Sequence, residues 1–157
     1  MGATSLFIQR LLDIYEVTVP FHVYDSFEGL PKKRVEDTSP VGVQFQAGAL
    51  ATTKKTFVTN FKKANLKVPV IHKGWFADCM PRDIPNGIMF AFLDGDYYES
   101  VRDSLRLVVP KLIPGAIIII DDYVNEALPG ASRAVDEWVG AFSRSVRSRA
   151  SMAIIQW

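Results

Sequence analysis

Four aspartates stand in two pairs, each directly after a short apolar segment of the sequence: Asp94 and Asp96 after residues 88–93, and Asp121 and Asp122 after residues 116–120. Carboxylates held close together repel one another unless a proton or a cation joins them. Ligand sets made only of oxygen favour Mg²⁺, Mn²⁺ or Ca²⁺ over zinc. If the two pairs converge, they therefore predict a site for a divalent cation.

Helix capping is a second interpretation of the same aspartates. Asp is favoured at the N-cap, where its side chain accepts a hydrogen bond from a free backbone N–H. Capping accounts for one aspartate in each turn but leaves the other member of each pair unexplained. The pairing therefore favours the metal site.

The segments around the aspartates predict a βαβ unit. Both apolar segments are short and rich in Ile or Phe, which is typical of strands buried on both faces. Between them, apolar residues recur at helical spacing, at Val101, Leu105, Val108 and Val109. Pro114-Gly115 then breaks the chain before the second strand. Parallel strands in such a unit end at the same carboxyl edge, where open α/β folds bind ligands.

Composition and charge exclude several classes of protein. The chain has 157 residues, 48% of them apolar and 22% charged, which predicts a single globular domain over residues 1–157. A formal net charge of +1 gives no electrostatic case for a nucleic-acid or membrane partner. No signal-peptide pattern and no stretch of membrane-spanning length occurs. The single Cys79 suits a reducing compartment, so we expect a cytoplasmic protein.

The remaining sequence predicts further strands, helices and loops. Apolar segments predict strands over residues 21–24, 68–72 and 152–157. Helical spacing predicts helices over residues 6–15 (capped by Thr4 or Ser5), 50–66, and 132–142 (capped by Ser132). Loops are predicted over residues 32–43, 79–87 and 124–130, and residues 143–149 are interpreted as a solvated face. We interpret the loop at 32–43 as a solvated excursion rather than the wall of a substrate entrance, and His22 and His72 as structural histidines.

Three sequence motifs resemble the macrocin O-methyltransferase (TylF-type) family: DSFEGLP at 25–31, LDGDYYES at 93–100, and PGAIIIIDDY at 114–123. The resemblance covers nearly the whole chain, from Gly2 to about Trp157. It implies a Rossmann-like class I methyltransferase, an α/β three-layer sandwich with a mostly parallel sheet. It also implies an enzyme that depends on S-adenosylmethionine and on Mg²⁺ or another divalent cation, and that methylates a hydroxyl of a sugar-bearing natural product.

The resemblance assigns roles to individual residues. Asp94, Asp121 and Asp122 would hold the metal, and Asp96 would be the general base. The residues implied for the cofactor are Gly2, Asp25, Ser26, Gly74, Trp75, Phe76 and Asp94. Among these, Asp25 would accept from the ribose hydroxyls, Trp75 would stack on the adenine, and Asp78 would accept from the adenine amino group. Each of these cofactor residues also has a structural interpretation, such as an Asx-turn at Asp25 or core packing at Trp75.

Compared with the family pattern, the sequence lacks the first strand with most of its glycine-rich loop, and a last strand. We therefore expect a truncated sheet in which the strands at 21–24 and 88–93 have unpaired edges, which favour self-association. We also expect weak cofactor binding and poor turnover from the 157-residue chain.

Two rival functions stay open from the sequence. Asp94-Gly95-Asp96 after a strand also resembles the DxD motif of metal-dependent glycosyltransferases, although that leaves the other two motifs unexplained. A non-catalytic remnant of a methyltransferase is the second rival. The sequence names neither the acceptor nor the hydroxyl that would be methylated.

Overall fold

The computed structural model describes residues 2–142 and 144–157, which form two compact units. The first unit contains the described residues up to Gly29 together with Gly48–Phe76, and the second contains Leu30–Ala47 and Ala77–Trp157. Each unit has its own sheet and its own apolar core. No helix among the described residues is both long enough and apolar enough to cross a membrane. That the chain is a single domain stays a prediction.

The first unit consists of two helices and a two-stranded parallel sheet: α1 (Ala3–Ile14), β1 (His22–Asp25), α2 (Lys54–Lys63) and β2 (Val70–Lys73). Its core is a cluster of three phenylalanines, Phe27, Phe57 and Phe61, against which apolar residues of α1 and both strands pack. In the sheet, Asp25 is opposite Lys73, so both strands end at the same edge. The following segments, Ser26 and Gly74-Trp75, therefore leave from that edge.

His22 and His72 form a direct pair in this sheet. Nδ1 of His22 lies 3.0 Å from Nε2 of His72, and the rings are within 12° of parallel. Burial, followed by the charge of His72, lowers the pKa of His22, which favours its neutral form. These contacts agree with the interpretation of both residues as structural.

Truncating Phe61 should destabilise the first unit. Phe61 is fully buried within the phenylalanine cluster, and Phe→Ala changes in packed cores cost about 3–5 kcal/mol. We expect Phe61→Ala to lower the urea midpoint measured by far-UV circular dichroism. Phe7→Ala, on α1 with a side chain that is 62% exposed, is the matched control and should leave the midpoint nearly unchanged. Equal effects of the two changes would contradict the assigned core.

The second unit is built on a four-stranded sheet in the order β3-β4-β6-β5. Its elements are β3 (Ile88–Leu93), α3 (Tyr98–Val108), β4 (Leu112–Ile120), α4 (Pro129–Phe142), β5 (Arg147–Arg149) and β6 (Met152–Gln156). Strands β3 and β4 are parallel and joined through α3, whereas β6 is antiparallel to both of its neighbours. The apolar faces of α3 and α4 bury Val101, Leu105 and Val135 against the sheet. The predicted α/β fold and its βαβ unit are confirmed.

Within the described residues, β1 and β3 each have one strand partner and one open edge. This agrees with the expectation that the strands near residues 21–24 and 88–93 have an unpaired edge. Their partners are β2 and β4, respectively.

Several predicted boundaries were wrong for identifiable reasons. Helix α1 begins after Gly2, whose positive φ of 72° makes it the N-cap in place of Thr4 or Ser5. Helix α2 is shorter than residues 50–66, because Thr53 caps it by accepting from the Thr56 N–H at 3.0 Å. Ser132 lies inside α4, and its hydroxyl donates to the Pro129 carbonyl.

Strand predictions also needed correction in the second unit. Pro114-Gly115 lies within β4 instead of preceding it, where a register shift absorbs the proline and the positive φ of 84° at Gly115. Residues 147–149 are exposed but form β5, a strand that the charge pattern concealed. The part of the predicted solvated face at Ser143 lies outside the described residues.

Candidate active site

The two acidic turns leave the sheet side by side. Leu93 is opposite Ile120 at the ends of β3 and β4, and the Asp121 N–H donates to the Leu93 carbonyl at 2.9 Å. Carboxylate oxygens of Asp94, Asp96 and Asp122 all lie within 4.8 Å of one another. The structure therefore brings three of the four predicted aspartates together. We call Asp94, Asp96 and Asp122 the acidic cluster.

Two members of the acidic cluster have left-handed backbone conformations. Asp96 has a φ of 57° and Asp122 a φ of 56°. This region costs most residues about 1 kcal/mol or more, and Asp is one of the few side chains that visit it routinely. Each acidic turn thus contains one strained residue whose carboxylate belongs to the acidic cluster, and such strain often marks functional sites.

The electrostatics of the acidic cluster are dominated by Asp96. Burial raises the pKa of this carboxyl to about 8, with further contributions from the charges of Asp94 and Asp122, a hydrogen bond to Asp122 and the charge of Asp121. At neutral pH the ion-free cluster therefore keeps a proton on Asp96, which is shared with Asp122. A divalent cation would replace that proton, and an all-carboxylate donor set fits Mg²⁺ or a similar hard ion.

Asp121 and Asp122 differ in their partners. Oδ1 of Asp121 accepts from the Asp122 N–H at 2.9 Å and from the Ser151 hydroxyl at 3.2 Å. Oδ1 of Asp122 instead accepts from the side-chain amide of Asn125 at 2.7 Å, which orients its carboxylate within the acidic cluster. Asp121 is not a member of the acidic cluster. Its negative charge nevertheless helps to raise the pKa of Asp96.

The loop at residues 32–43, which we interpreted from the sequence as a solvated excursion, lies within a longer segment that is hydrogen-bonded beside both acidic turns. Leu30–Ala47, which we call the strap, contains a short 3-10 helix at Val35–Asp37. Asp37 is only 2% exposed, and its carboxylate accepts from the Tyr98 N–H at the start of α3. The Ser39 hydroxyl donates to the carbonyl of Glu126, four residues after Asp122. The excursion interpretation was therefore wrong for the middle of this segment.

Tyr97 and Tyr98 are held by the surrounding structure. Tyr97 is 1% exposed, and its hydroxyl donates to the Phe45 carbonyl of the strap at 3.0 Å. The Tyr98 hydroxyl donates to Glu137 of α4 at 2.6 Å. Both tyrosines therefore fix the start of α3 directly after the first acidic turn.

The residues predicted for the cofactor in the first unit stand mostly at the carboxyl edge of its sheet. Oδ1 of Asp25 accepts from the Phe27 N–H at 2.7 Å in an Asx-turn, while the side chain is otherwise exposed. The Gly74 N–H donates to the Asp25 carbonyl at 3.0 Å, and Trp75 and Phe76 follow. Gly2 caps α1, and a Cβ there would lie 2.8 Å from the Phe57 ring. Asp94 belongs to the second unit.

Comparison with known proteins decides the family. The profile described as Macrocin-O-methyltransferase (TylF) matches residues 1–147. The chain belongs to the TylF macrocin-O-methyltransferase family. It is 31% identical over 150 residues to the 8-demethyl-8-(2,3-dimethoxy-alpha-L-rhamnosyl)-tetracenomycin-C 4'-O-methyltransferase of Streptomyces olivaceus. It is 32% identical over 148 residues to the Mycinamicin III 3''-O-methyltransferase of Micromonospora griseorubida. The predicted resemblance is confirmed.

A solved structure of similar fold is the O-methyltransferase NovP. The match has a TM-score of 0.85 and 25% sequence identity, and it covers 99% of this chain and 67% of NovP. The two curated relatives are covered less completely. The two matches include 92% and 87% of this chain, but the chain spans only 56% of the length of each relative. Membership of a methyltransferase family also removes the support for the DxD glycosyltransferase interpretation.

Asp37 is the residue near this site that local sequence patterns do not indicate. It lies in a stretch rich in charged residues and prolines, which predicts solvent exposure. The available signal was an acidic residue three positions after Arg34, a spacing at which its side chain can accept from the Arg34 N–H and close a short helical turn. Nothing local to that turn indicated its tertiary partner at Tyr98.

Proposed function

We propose that the protein is an S-adenosylmethionine-dependent O-methyltransferase that acts on a hydroxyl group, most simply one on the sugar of a glycosylated natural product. The observation that carries the proposal is the convergence of Asp94, Asp96 and Asp122 within 4.8 Å at one edge of the sheet. Family membership supports the methyl donor, and the names of the two relatives, both O-methyltransferases, support an oxygen acceptor.

The acidic cluster has the donor chemistry for a divalent cation, Mg²⁺ being the simplest choice. Asp94 and Asp122, one from each turn, would hold the ion, with Asp121 adding negative charge behind them. A bound cation of this kind lowers the pKa of a hydroxyl that it contacts. Asn125 fixes the orientation of the Asp122 carboxylate through its 2.7 Å hydrogen bond, as groups behind metal ligands commonly do.

Asp96 is the proposed proton acceptor. Without an ion, burial and its acidic neighbours raise the pKa of this carboxyl to about 8, so it is protonated at neutral pH. A cation held by Asp94 and Asp122 would displace that proton and leave the Asp96 carboxylate able to accept one from the acceptor hydroxyl. Asp96 therefore has the position that the role requires.

The first unit carries the proposed cofactor contacts. S-adenosylmethionine supplies an electrophilic methyl group on a sulfonium. The Asx-turn leaves the second oxygen of Asp25 to accept from ribose hydroxyls, the function of an acidic residue after the second strand in nucleotide-binding α/β folds. Ser26, Gly74, Trp75 and Phe76 line the same edge of the sheet, and Gly2 begins α1, whose N-terminus offers free N–H groups.

Ligand-induced thermal stabilisation distinguishes this function from its glycosyltransferase rival. In protein that already contains saturating Mg²⁺, we expect added S-adenosylhomocysteine to raise the melting temperature further, because a ligand that binds only the folded state stabilises it. In protein that already contains saturating Mn²⁺, added UDP should cause no further change. Asp25→Ala should abolish the S-adenosylhomocysteine effect, and Asp13→Ala on α1 should not. Stabilisation by UDP with Mn²⁺ and none by S-adenosylhomocysteine would refute the proposal.

A further inference from the structure

We propose that Asp37 is a positioning residue: through the start of α3, its buried carboxylate holds the turn that carries Asp94 and Asp96. The inference rests on the proposed function for its consequence, which is cation binding by the acidic cluster. The hydrogen bonds that position the turn join the strap to other residues of the second unit and involve no ligand.

The carboxylate of Asp37 joins the strap to α3. Oδ2 accepts from the Arg34 N–H at 3.0 Å and closes the short 3-10 helix. Oδ1 accepts from the Tyr98 N–H at 2.7 Å. Tyr98 is the first residue of α3, and the N-cap Tyr97 makes no side-chain cap of its own. Asp37 therefore serves as the N-terminal cap of α3 from a distant part of the chain.

The first turn of α4 packs against the same hydrogen bond. A Cβ added to Gly130 would lie 1.9 Å from Oδ1 of Asp37 and 2.6 Å from the Tyr98 nitrogen. The carboxylate therefore lies at the beginning of two helices, where the helix dipoles favour a negative charge. A buried charge is costly unless hydrogen bonds and opposite charge satisfy it. These two helix starts, together with the two N–H donors, supply that compensation.

The hydrogen bond from the Tyr98 N–H to Asp37, which we call the clamp, lies close in sequence to the first acidic turn. The Tyr98 N–H lies two residues after Asp96, which itself has a left-handed conformation with a φ of 57°. Next to it, the Tyr97 N–H donates to the Gly95 carbonyl at 2.6 Å and its hydroxyl donates to the strap. Fixing the start of α3 therefore limits the conformations open to the strained Asp94–Asp96 turn.

The strap has a second attachment beside the other acidic turn. The Ser39 hydroxyl donates to the Glu126 carbonyl at 2.6 Å, and a Cβ on Gly42 would lie 2.2 Å from the Ala127 carbonyl oxygen. The segment after Asp122 and the segment after Asp96 are thus held by one stretch of chain. We infer that the strap sets the separation of the two turns that form the acidic cluster.

The test uses three variants and a matched control. Asp37→Asn keeps the size of the side chain but removes its charge and leaves only one acceptor oxygen for two N–H donors. Asp37→Ala deletes the clamp, and Gly130→Ala displaces the carboxylate without altering it. Asp83→Asn is the control, because Asp83 accepts from the Met80 N–H across a similar short 3-10 helix but is exposed.

Two readouts separate the inference from the proposed function. Hydrogen exchange of the Gly95 to Tyr98 amides reports the geometry without any ligand, and we expect at least a tenfold acceleration in the three clamp variants only. Mn²⁺ affinity measured by electron paramagnetic resonance reports the acidic cluster, and we expect at least a tenfold loss in the same variants. Asp37→Asn, the mildest change, keeps the test available if Asp37→Ala does not fold.

The possible results are distinct. Unchanged hydrogen exchange at residues 95–98 in both Asp37→Asn and Gly130→Ala would overturn the inference, regardless of the Mn²⁺ affinity of these variants. Accelerated exchange with unchanged Mn²⁺ affinity would also overturn it, because the clamp would then be structural only. If the parent chain binds no Mn²⁺, the proposed metal function fails, while accelerated exchange would still support the positioning of the turn by Asp37.

Discussion

Replacing Asp122 with asparagine should weaken Mn²⁺ or Mg²⁺ binding by at least tenfold. The Asp122 carboxylate is within 4.8 Å of those of Asp94 and Asp96, so the change removes one of three charges that would face the ion. The Asn125 side-chain amide, which donates to Asp122 at 2.7 Å, would then face either the NH₂ group or the uncharged oxygen of the new amide. Calorimetric titration of the ion into the parent chain and the variant measures the loss.

The neighbouring Asp121→Asn provides a matched control for this experiment. Its Oδ1 is already engaged by the Ser151 hydroxyl and by the Asp122 N–H, both of which an amide oxygen can still satisfy. We therefore expect less than a tenfold change in ion affinity. Asn125→Ala leaves both carboxylates in place and should weaken ion binding about tenfold, the lower end of the losses common for groups that orient metal ligands, and less than Asp122→Asn does. An effect at Asp121 as large as that at Asp122 would restore the metal set that the family resemblance implies, Asp94, Asp121 and Asp122.

The sequence predicted the centre of the second unit well, because local pattern and tertiary contact agree there. Residues 88–93 form β3 with the predicted bounds, and the apolar face of α3 follows the predicted spacing. The carboxyl edge of a parallel pair then follows from topology alone. This is why the convergence of Asp94 with Asp122 could be anticipated from two strand ends.

Other features depend on contacts between distant parts of the chain. Asp37 and Tyr98 are 61 residues apart, and no periodic pattern connects them. The difference between Asp121 and Asp122 depends on the backbone conformation of Asp122, with a φ of 56°, and on Ser151 from the other end of the unit. Sequence patterns report which face of an element is apolar, but they do not report which of two adjacent carboxylates a turn directs inward.

The stability of the ion-free protein should depend on pH through Asp96, and Asp96→Asn should remove that dependence. The pKa of Asp96 is raised from 3.8 to about 8 in the folded chain. Between these values the folded state binds a proton that the unfolded state has lost, so the free energy of unfolding falls as pH rises, until it levels off above pH 8. Asparagine carries no charge at any pH, so the variant should become more stable than the parent as the pH approaches 8. We expect a difference of about 1–3 kcal/mol at that end, the usual scale for a buried polar group without its partner.

A saturating divalent cation should reverse the order of the two proteins. The ion would replace the shared proton and favour the ionised form of Asp96, and an ion at 100 times its dissociation constant adds about 2.7 kcal/mol to the stability of the folded state. The parent chain should gain this stabilisation at pH 8, whereas Asp96→Asn, with one charge fewer in the acidic cluster, should gain much less. Urea unfolding at pH 5 and pH 8, with EDTA or Mg²⁺, measures all four conditions, and Asp83→Asn controls for the loss of an exposed carboxylate. If Asp96→Asn were less stable than the parent at pH 8 in EDTA, the carboxyl would be ionised and satisfied without a cation. Burial beside Asp94 and Asp122 would then not raise the pKa of Asp96 in the ion-free protein.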